Sequence, residues 1–226
     1  MIIKTPILKT YNSIEKNLEN LIKLINSIDS VDLVLLQQRF FQGTSSFNFR
    51  YIHDSNIAIF QNGLEIVKIQ EALKNKNFCL GFGYYENFKG GLYNSFIVLH
   101  PKYGKLLNYR TNSINWKAEN ACADYRQGHS FYSFKCKGKE IAPITAEDFL
   151  DEENLPKLIE MDCDVDLYYV TSIYNLDFSI KKFLKISEIL DKPILLVEIN
   201  KINSYAKILK HGKIRQLRKF KNKIQI

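Results

Sequence analysis

The chain has 226 residues, 46% hydrophobic and 25% charged, with a net charge of +8; that size fits one large domain or two small ones and supplies a sizeable core. Its longest apolar runs, such as Ile194 to Val197, are of strand length, too short for a membrane span, and MIIKTPILKTYNS holds no signal-peptide core, so a cytoplasmic location without membrane contact is expected. The charge is uneven: from Ile199 onward there are nine Lys and Arg and no acid, which leaves 23 basic against 24 acidic residues in the rest.

Ile2 to Leu8 reads as a first strand. Asn12 or Ser13 caps a helix to about Ser27, whose apolar positions Ile14, Leu18, Leu21, Ile22 and Ile25 fall at helical spacing. VDLVLL (31–36) is a buried strand, followed by Gln37-Gln38 and an aromatic loop, RFFQGTSSFNF. IAIF (57–60) is expected as a strand and LEIVKIQEAL (64–73) as a helix. NFCLGFGYYE (77–86) and LYNSFIVLH (92–100) form a hairpin turning at Gly90-Gly91, and PKYGKLL (101–107) is a turn and the next strand. Residues 111–128 read as irregular. HSFYSFKCKG (129–138) and KEIAPIT (139–145) suggest another hairpin. A helix follows over 150–161, broken or begun near Pro156, then a strand at 165–172. Phe178 to Leu190 is a helix with a basic face of Lys181, Lys182 and Lys185, KPILLVEIN (192–200) a strand, and SYAKILKHGKI (204–214) a last hairpin element.

Strands and helices alternate at both ends with hairpins between them, the pattern of an α/β layered sandwich with mixed sheets. With no internal repeat and no Pro/Gly/Ser-rich linker, one domain over 1–200 is expected, and 201–226 as a basic hairpin and tail. The four cysteines (Cys79, Cys122, Cys136, Cys163) form no CxxC pair and do not cluster with the four histidines, so free thiols are expected and no metal site.

Several stretches carry a resemblance. The opening strand with NLENLIKLI and VDLVLLQQRFFQG, the segment NFCLGFGYYENFKGGLYNSFIVLHPKYGKLLNYR, then IAPITAEDF and CDVDLYYVTS, resemble in order the carbon–nitrogen hydrolase (nitrilase) superfamily. The resemblance implies a single-domain α-β-β-α sandwich, a homodimer, no cofactor and no metal. It also implies chemistry: a Cys thiolate that attacks a nitrile or amide carbon, a Glu base, and a Lys that stabilises the developing charge. SYAKILKHGKI resembles the family's late hairpin, but the closing segment beyond it is shortened or replaced.

The resemblance places the family's Glu on Gln38, its Lys on Thr111 after Tyr109-Arg110, and its Cys on Ala146, two residues before Asp148. An amide cannot take a proton at neutral pH, a hydroxyl carries no positive charge, and a methyl cannot attack. General base catalysis alone is worth about 10²–10⁴-fold, and loss of the nucleophile nearly exhausts the rest. The first reading is therefore a catalytically degenerate protein, a small-ligand binding or assembly subunit, with Gln38, Thr111, Glu147 and Asp148 as candidate contacts to a neutral polar ligand. Asp148 is expected to order its turn through backbone amides.

A second reading keeps C–N hydrolysis with relocated residues. Cys136 is its candidate thiol, while Cys122 and Asp124 lie where the family often has a supporting Glu. A third assigns binding of an acidic surface or nucleic acid to the basic tail. The sequence leaves open whether aromatics such as Phe40, Phe41, Tyr84 and Tyr132 fill the former site.

Overall fold

The computed structural model describes all residues except 7, 44, 163, 173–179, 200–203, 217–222 and 226. The first half alternates helix and strand and ends in a meander. It comprises β1 (Ile2–Lys4), α1 (Ile14–Ser27), β2 (Leu33–Leu35), α2 (Tyr51–Ile57), α3 (Leu64–Leu73), β3 (Cys79–Phe88), β4 (Gly91–His100) and β5 (Gly104–Arg110). The second half comprises β6 (Phe134–Cys136), β7 (Lys139–Thr145), α4 (Ala146–Leu150), α5 (Leu155–Asp162), β8 (Leu167–Ser172), α6 (Ile180–Ile189), β9 (Ile194–Ile199), β10 (Ser204–Lys210), β11 (Lys213–Gln216) and β12 (Lys223–Gln225).

These strands make two six-stranded mixed sheets, β12-β1-β2-β3-β4-β5 and β11-β10-β9-β8-β7-β6. In each, three parallel strands (β1, β2, β3 and β7, β8, β9) are flanked by antiparallel ones. The sheets stack face to face. Ile3, Leu33, Leu35, Phe96, Ile141, Tyr169 and Leu195 fill the space between them. On the outer face of the first sheet, Val34, Leu36, Leu80 and Phe82 meet Leu18, Leu21 and Ile25 of α1 and Ile66 and Ile69 of α3. On the outer face of the second, Ala142, Ile144, Tyr168 and Leu196 meet Leu158 of α5 and Phe183 and Ile186 of α6. The architecture is the expected α-β-β-α sandwich. Successive residues of β2 point alternately into two cores, which is why VDLVLL is apolar throughout rather than alternating.

Helix α1 forms where its spacing predicts. Ser13 Oγ accepts from Lys16 N–H at its start, and Leu21 and Ile25 are fully buried, each contributing about 1.5–3 kcal/mol. Its buried Asn17 is satisfied by the backbone of Tyr11 and Phe41.

Other expectations are corrected. The strand at 57–60 is not one: Tyr51–Ile57 is α2, and only Ile59 forms a bridge, to Glu86. The cause is Asp54, a fully buried carboxylate that takes the N–H groups of Asn48 and Phe49 and the Tyr125 hydroxyl, so a polar hub rather than an apolar face fixes this helix. The first strand is shorter than 2–8, and the strand at 129–138 contracts to Phe134–Cys136. Helix α5 begins at Leu155, with Pro156 in its first turn, where a missing N–H costs nothing. The basic C-terminal segment contributes to both sheets, since β11 pairs with β10 and β12 with β1; the expected boundary at 200/201 lies outside the described residues. Among the described residues no helix is long and apolar enough to cross a membrane.

Candidate functional site

Gln38, Thr111 and Ala146 each follow the C-terminal end of a strand, β2, β5 and β7, the usual position of sites in sheets of this kind. All three are buried, at 1%, 1% and 0% exposure.

The Gln38 turn is pressed against β3. Gly83 N–H donates to the Gln37 carbonyl and Phe41 N–H to the Gly83 carbonyl, at 3.1 and 3.2 Å. A Cβ on Gly83 would lie 2.5 Å from Gln38 Cα and 2.6 Å from Arg39 N, so only glycine permits this approach. Arg39 sits in the left-handed region, at φ 54°, a strain of about 1–2 kcal/mol for a residue with a Cβ.

Thr111 is fixed by its neighbours on both sides. Arg110 makes a bidentate pair with buried Glu86, Nη2 to Oε1 at 2.6 Å and Nε to Oε2 at 2.8 Å. Ser95 and Asn108 donate to the same carboxylate, and the guanidinium lies over the Phe88 and Tyr93 rings. On the far side Gly128 N–H donates to the Thr111 carbonyl at 2.8 Å, and a Cβ on Gly128 would collide with the Arg110 carbonyl oxygen.

Ala146 opens α4, capped by Thr145, whose hydroxyl accepts from Asp148 N–H and donates to Asp148 Oδ2. The Asp148 carboxylate accepts from the backbone N–H groups of Asn112 and Ser113, so it ties the exit of β7 to the exit of β5. Burial pushes its pKa up to about 7, against those two N–H bonds, which act to lower it.

Glu147 makes the remaining link. Its Oε2 accepts from Gln38 Nε2 at 3.2 Å and its Oε1 from Arg39 Nη2 at 3.1 Å, and Arg39 also donates to the Trp116 carbonyl. The Arg39–Glu147 pair is almost wholly buried. Hydrogen bonds thus connect the surroundings of all three positions, Gln38 through Glu147 beside Ala146, and Asn112 beside Thr111 through Asp148.

Sequence reasoning proposed Glu147 as a ligand contact and gave Arg39 no role. The available signal was an Arg next to Phe40-Phe41, since a cation buried among aromatics needs an anion. Phe40, Phe41 and Tyr84 pack instead in the core under α1 and α3, and Tyr132 is exposed. Asp124 is half exposed and loosely paired with Arg126. Cys136 pairs in register with Lys139 at the start of β7. Seven residues of strand separate that point from Ala146, roughly 20 Å at about 3.3 Å per residue. Cys163 lies outside the described residues.

Chemically, the three positions offer an amide, a hydroxyl and a methyl. Gln38 Oε1 and Thr111 Oγ1 are buried without a hydrogen-bond partner among the described residues. A cavity of about 290 Å³ reaches Asn112 and Asn154, both adjoining Asp148. Among the described residues no group of three or more His, Cys, Asp or Glu is placed to hold a metal ion.

No protein-family model and no curated protein matches the sequence. Solved structures match over nearly the whole chain. A carbon–nitrogen hydrolase superfamily protein from Xanthomonas campestris, with an arsenic adduct in its active site, aligns with a TM-score of 0.75 at 13% identity, over 99% of this chain and 88% of that one. A variant of an amidase from Nesterenkonia sp. with one Glu replaced by Gln, showing Michael addition of acrylamide at its active-site cysteine, aligns with a TM-score of 0.75 at 11% identity, over 96% of this chain and 89% of that one. A double variant of that amidase, one Glu replaced by Gln and one Cys by Ala, was solved in complex with acrylamide. Glutamine-dependent NAD+ synthetase from Acinetobacter baumannii aligns with a TM-score of 0.74 at 16% identity, over 97% of this chain but only 44% of the synthetase, so the chain spans less than half of that relative. At these identities the likeness is one of fold.

Proposed function

We propose that this carbon–nitrogen hydrolase fold binds a small neutral polar ligand of the amide class and does not hydrolyse it. The observation that carries the reading is the pair of unpartnered buried atoms, Gln38 Oε1 and Thr111 Oγ1, beside a methyl at Ala146. Buried polar groups are almost always hydrogen-bonded, so these two atoms, past the ends of β2 and β5 at the same end of the first sheet, suit a ligand that brings its own N–H and C=O. A charged ligand suits them less, because the carboxylate of Glu147 is already matched by Arg39 and Gln38. The amidase variant bearing Gln and Ala and holding acrylamide supports the idea that such replacements leave an amide site in this fold. The distant position of Cys136 weighs against a relocated thiol.

The test is calorimetric titration with a panel of small amides, acrylamide among them, alongside an assay for released ammonia. Binding without ammonia above the blank, lost in Gln38→Leu and in Thr111→Val, is expected. Ammonia release by the unmodified chain, or no binding across the panel, would overturn the reading. The same proposal includes a homodimer, which sedimentation checks; a monomer at micromolar concentration would remove that part.

A further inference from the structure

At the rim of the sandwich opposite the Gln38–Ala146 turns lies a cavity of about 650 Å³, between the starts of β2 and β3, the β4–β5 turn and the β6–β7 hairpin. Five lysines line it, Lys74, Lys76, Lys102, Lys135 and Lys137, against a single acid, Asp32. The Asp32 carboxylate is engaged by the backbone N–H of Ile2. Lys76 and Lys135 have loose acidic partners at 4.0 Å, while Lys74, Lys102 and Lys137 have no ion pair among the described residues. His100 Nδ1 accepts from the N–H groups of Lys102 and Tyr103, which fixes its neutral ring with the proton on Nε2. Burial, then the nearby charges of Lys102 and Lys137, hold its pKa below the ordinary value. The cavity therefore presents a positive field to any solute that enters it.

Two thiols stand in its wall, one from each sheet. Cys79 begins β3 and Cys136 ends β6, and both line the cavity. They converge on one carbonyl: Asp32 O accepts the Cys79 N–H at 2.9 Å and the Cys136 S–H at 3.6 Å. Both are free thiols. The two thiols are neighbours whose ionisations influence each other.

We propose that this cavity is a thiol-exchange site in which Cys136 is the reacting sulfur and the lysines select small disulfides that carry carboxylates. Cys136 loses its proton to solvent and attacks one sulfur of the disulfide. The disulfide's S–S bond breaks, a new S–S bond to Cys136 forms, and the leaving thiolate departs past the lysines and takes up a proton. One mixed disulfide and one small thiol result, and no further oxidant is needed. Cys79 acts as a positioning residue beside the Cys136 sulfur. That contact lowers the Cys136 pKa and raises that of Cys79. The other groups facing Cys136 are Asp32, which opposes ionisation as burial does, and Lys137 and the N-terminal ammonium, which favour it.

The experiment uses the full chain carrying Cys122→Ser, which removes an exposed background thiol. It is exposed in parallel to oxidised glutathione, an anionic disulfide, and to cystamine, a dication, and the adducts are mapped by peptide mass. At low salt, oxidised glutathione should modify Cys136 faster than cystamine by about tenfold or more, and the ratio should fall towards one in molar salt. Lys102→Glu with Lys137→Glu, two exposed positions whose change spares the core, should reverse the preference. Cys79→Ala should move the pH midpoint of the Cys136 reaction upward without moving the adduct to another cysteine. Equal or faster reaction with cystamine, or adducts confined to other cysteines, would overturn the proposal.

Discussion

At the strand ends that carry Gln38 and Ala146, Glu147 and Asp148 each have a cation, an amide or backbone N–H groups against them. At the opposite rim, Lys74, Lys102 and Lys137 face a cavity with no acid paired to them among the described residues. The same two sheets thus hold charge in two ways. In the first, burial makes each charge costly, so the charges are committed to one another and serve structure. In the second, solvent lowers the cost of each charge, so the lysines remain free to meet an anion. A cluster of ionisable groups at the expected end of a fold is therefore no sign of chemistry by itself; what matters is whether their partners are already present.

The sharpest way to break this contrast is to remove one partner from the buried pair. Among the described residues, Arg39→Ala leaves Glu147 buried with only the Gln38 amide, and a loss of about 3–5 kcal/mol is expected in denaturant unfolding. The double replacement Arg39→Met with Glu147→Leu should lose clearly less than Arg39→Ala alone; an equal or larger loss would mean that the pair is not the source. Next in size is Gly128→Ala, whose new methyl meets the Arg110 carbonyl oxygen. A loss of about 1–3 kcal/mol is expected, read as a lowered unfolding midpoint.

Asp148 sharpens the comparison through pH. Its carboxyl titrates near 7 in the folded chain against 3.8 ordinarily. The folded value is the higher one, so the unfolded chain ionises first. Stability is unaffected by this group below about pH 4, declines as pH rises towards 7, and levels off above. Asp148→Asn should remove that decline, and unfolding midpoints measured across the range would show it; an unchanged slope would assign it to other groups. The smallest effect is expected from Thr111→Val, within about 1 kcal/mol, because the hydroxyl it removes has no partner to lose among the described residues. A large destabilisation there would mean that Thr111 serves the fold rather than a ligand.

The legibility of the chain follows the same division between local and distant causes. Helix α1 could be read because its apolar period is local, and β2 and β7 because burial on both faces leaves an unbroken apolar run. Helix α2 could not: its short sequence YIHDSNI lacks a clear apolar face, and the bond that fixes it comes from Tyr125, 71 residues away. At the candidate site the positions of Gln38, Thr111 and Ala146 came from a resemblance between ordered segments. Their surroundings did not, since Arg39 and Glu147 are 108 residues apart and no local pattern announces such a pair. The close approaches at Gly83 and Gly128 were equally hidden, because the atoms a side chain would strike belong to segments remote in the sequence.

The pairing of β12 with β1 has a consequence for how the chain assembles. Ile2 stands opposite Gln225 and Ile3 opposite Ile224, so one edge of the first sheet is closed by residues made more than two hundred positions after it. During synthesis β1 can dock on β2 early, yet its outer row of N–H and C=O groups stays bare until Lys223–Gln225 leave the ribosome. Contacts of such sequence separation form slowly, and a bare strand edge in that interval can pair with another nascent chain. The nascent protein is therefore most prone to self-association just before Lys223–Gln225 emerge.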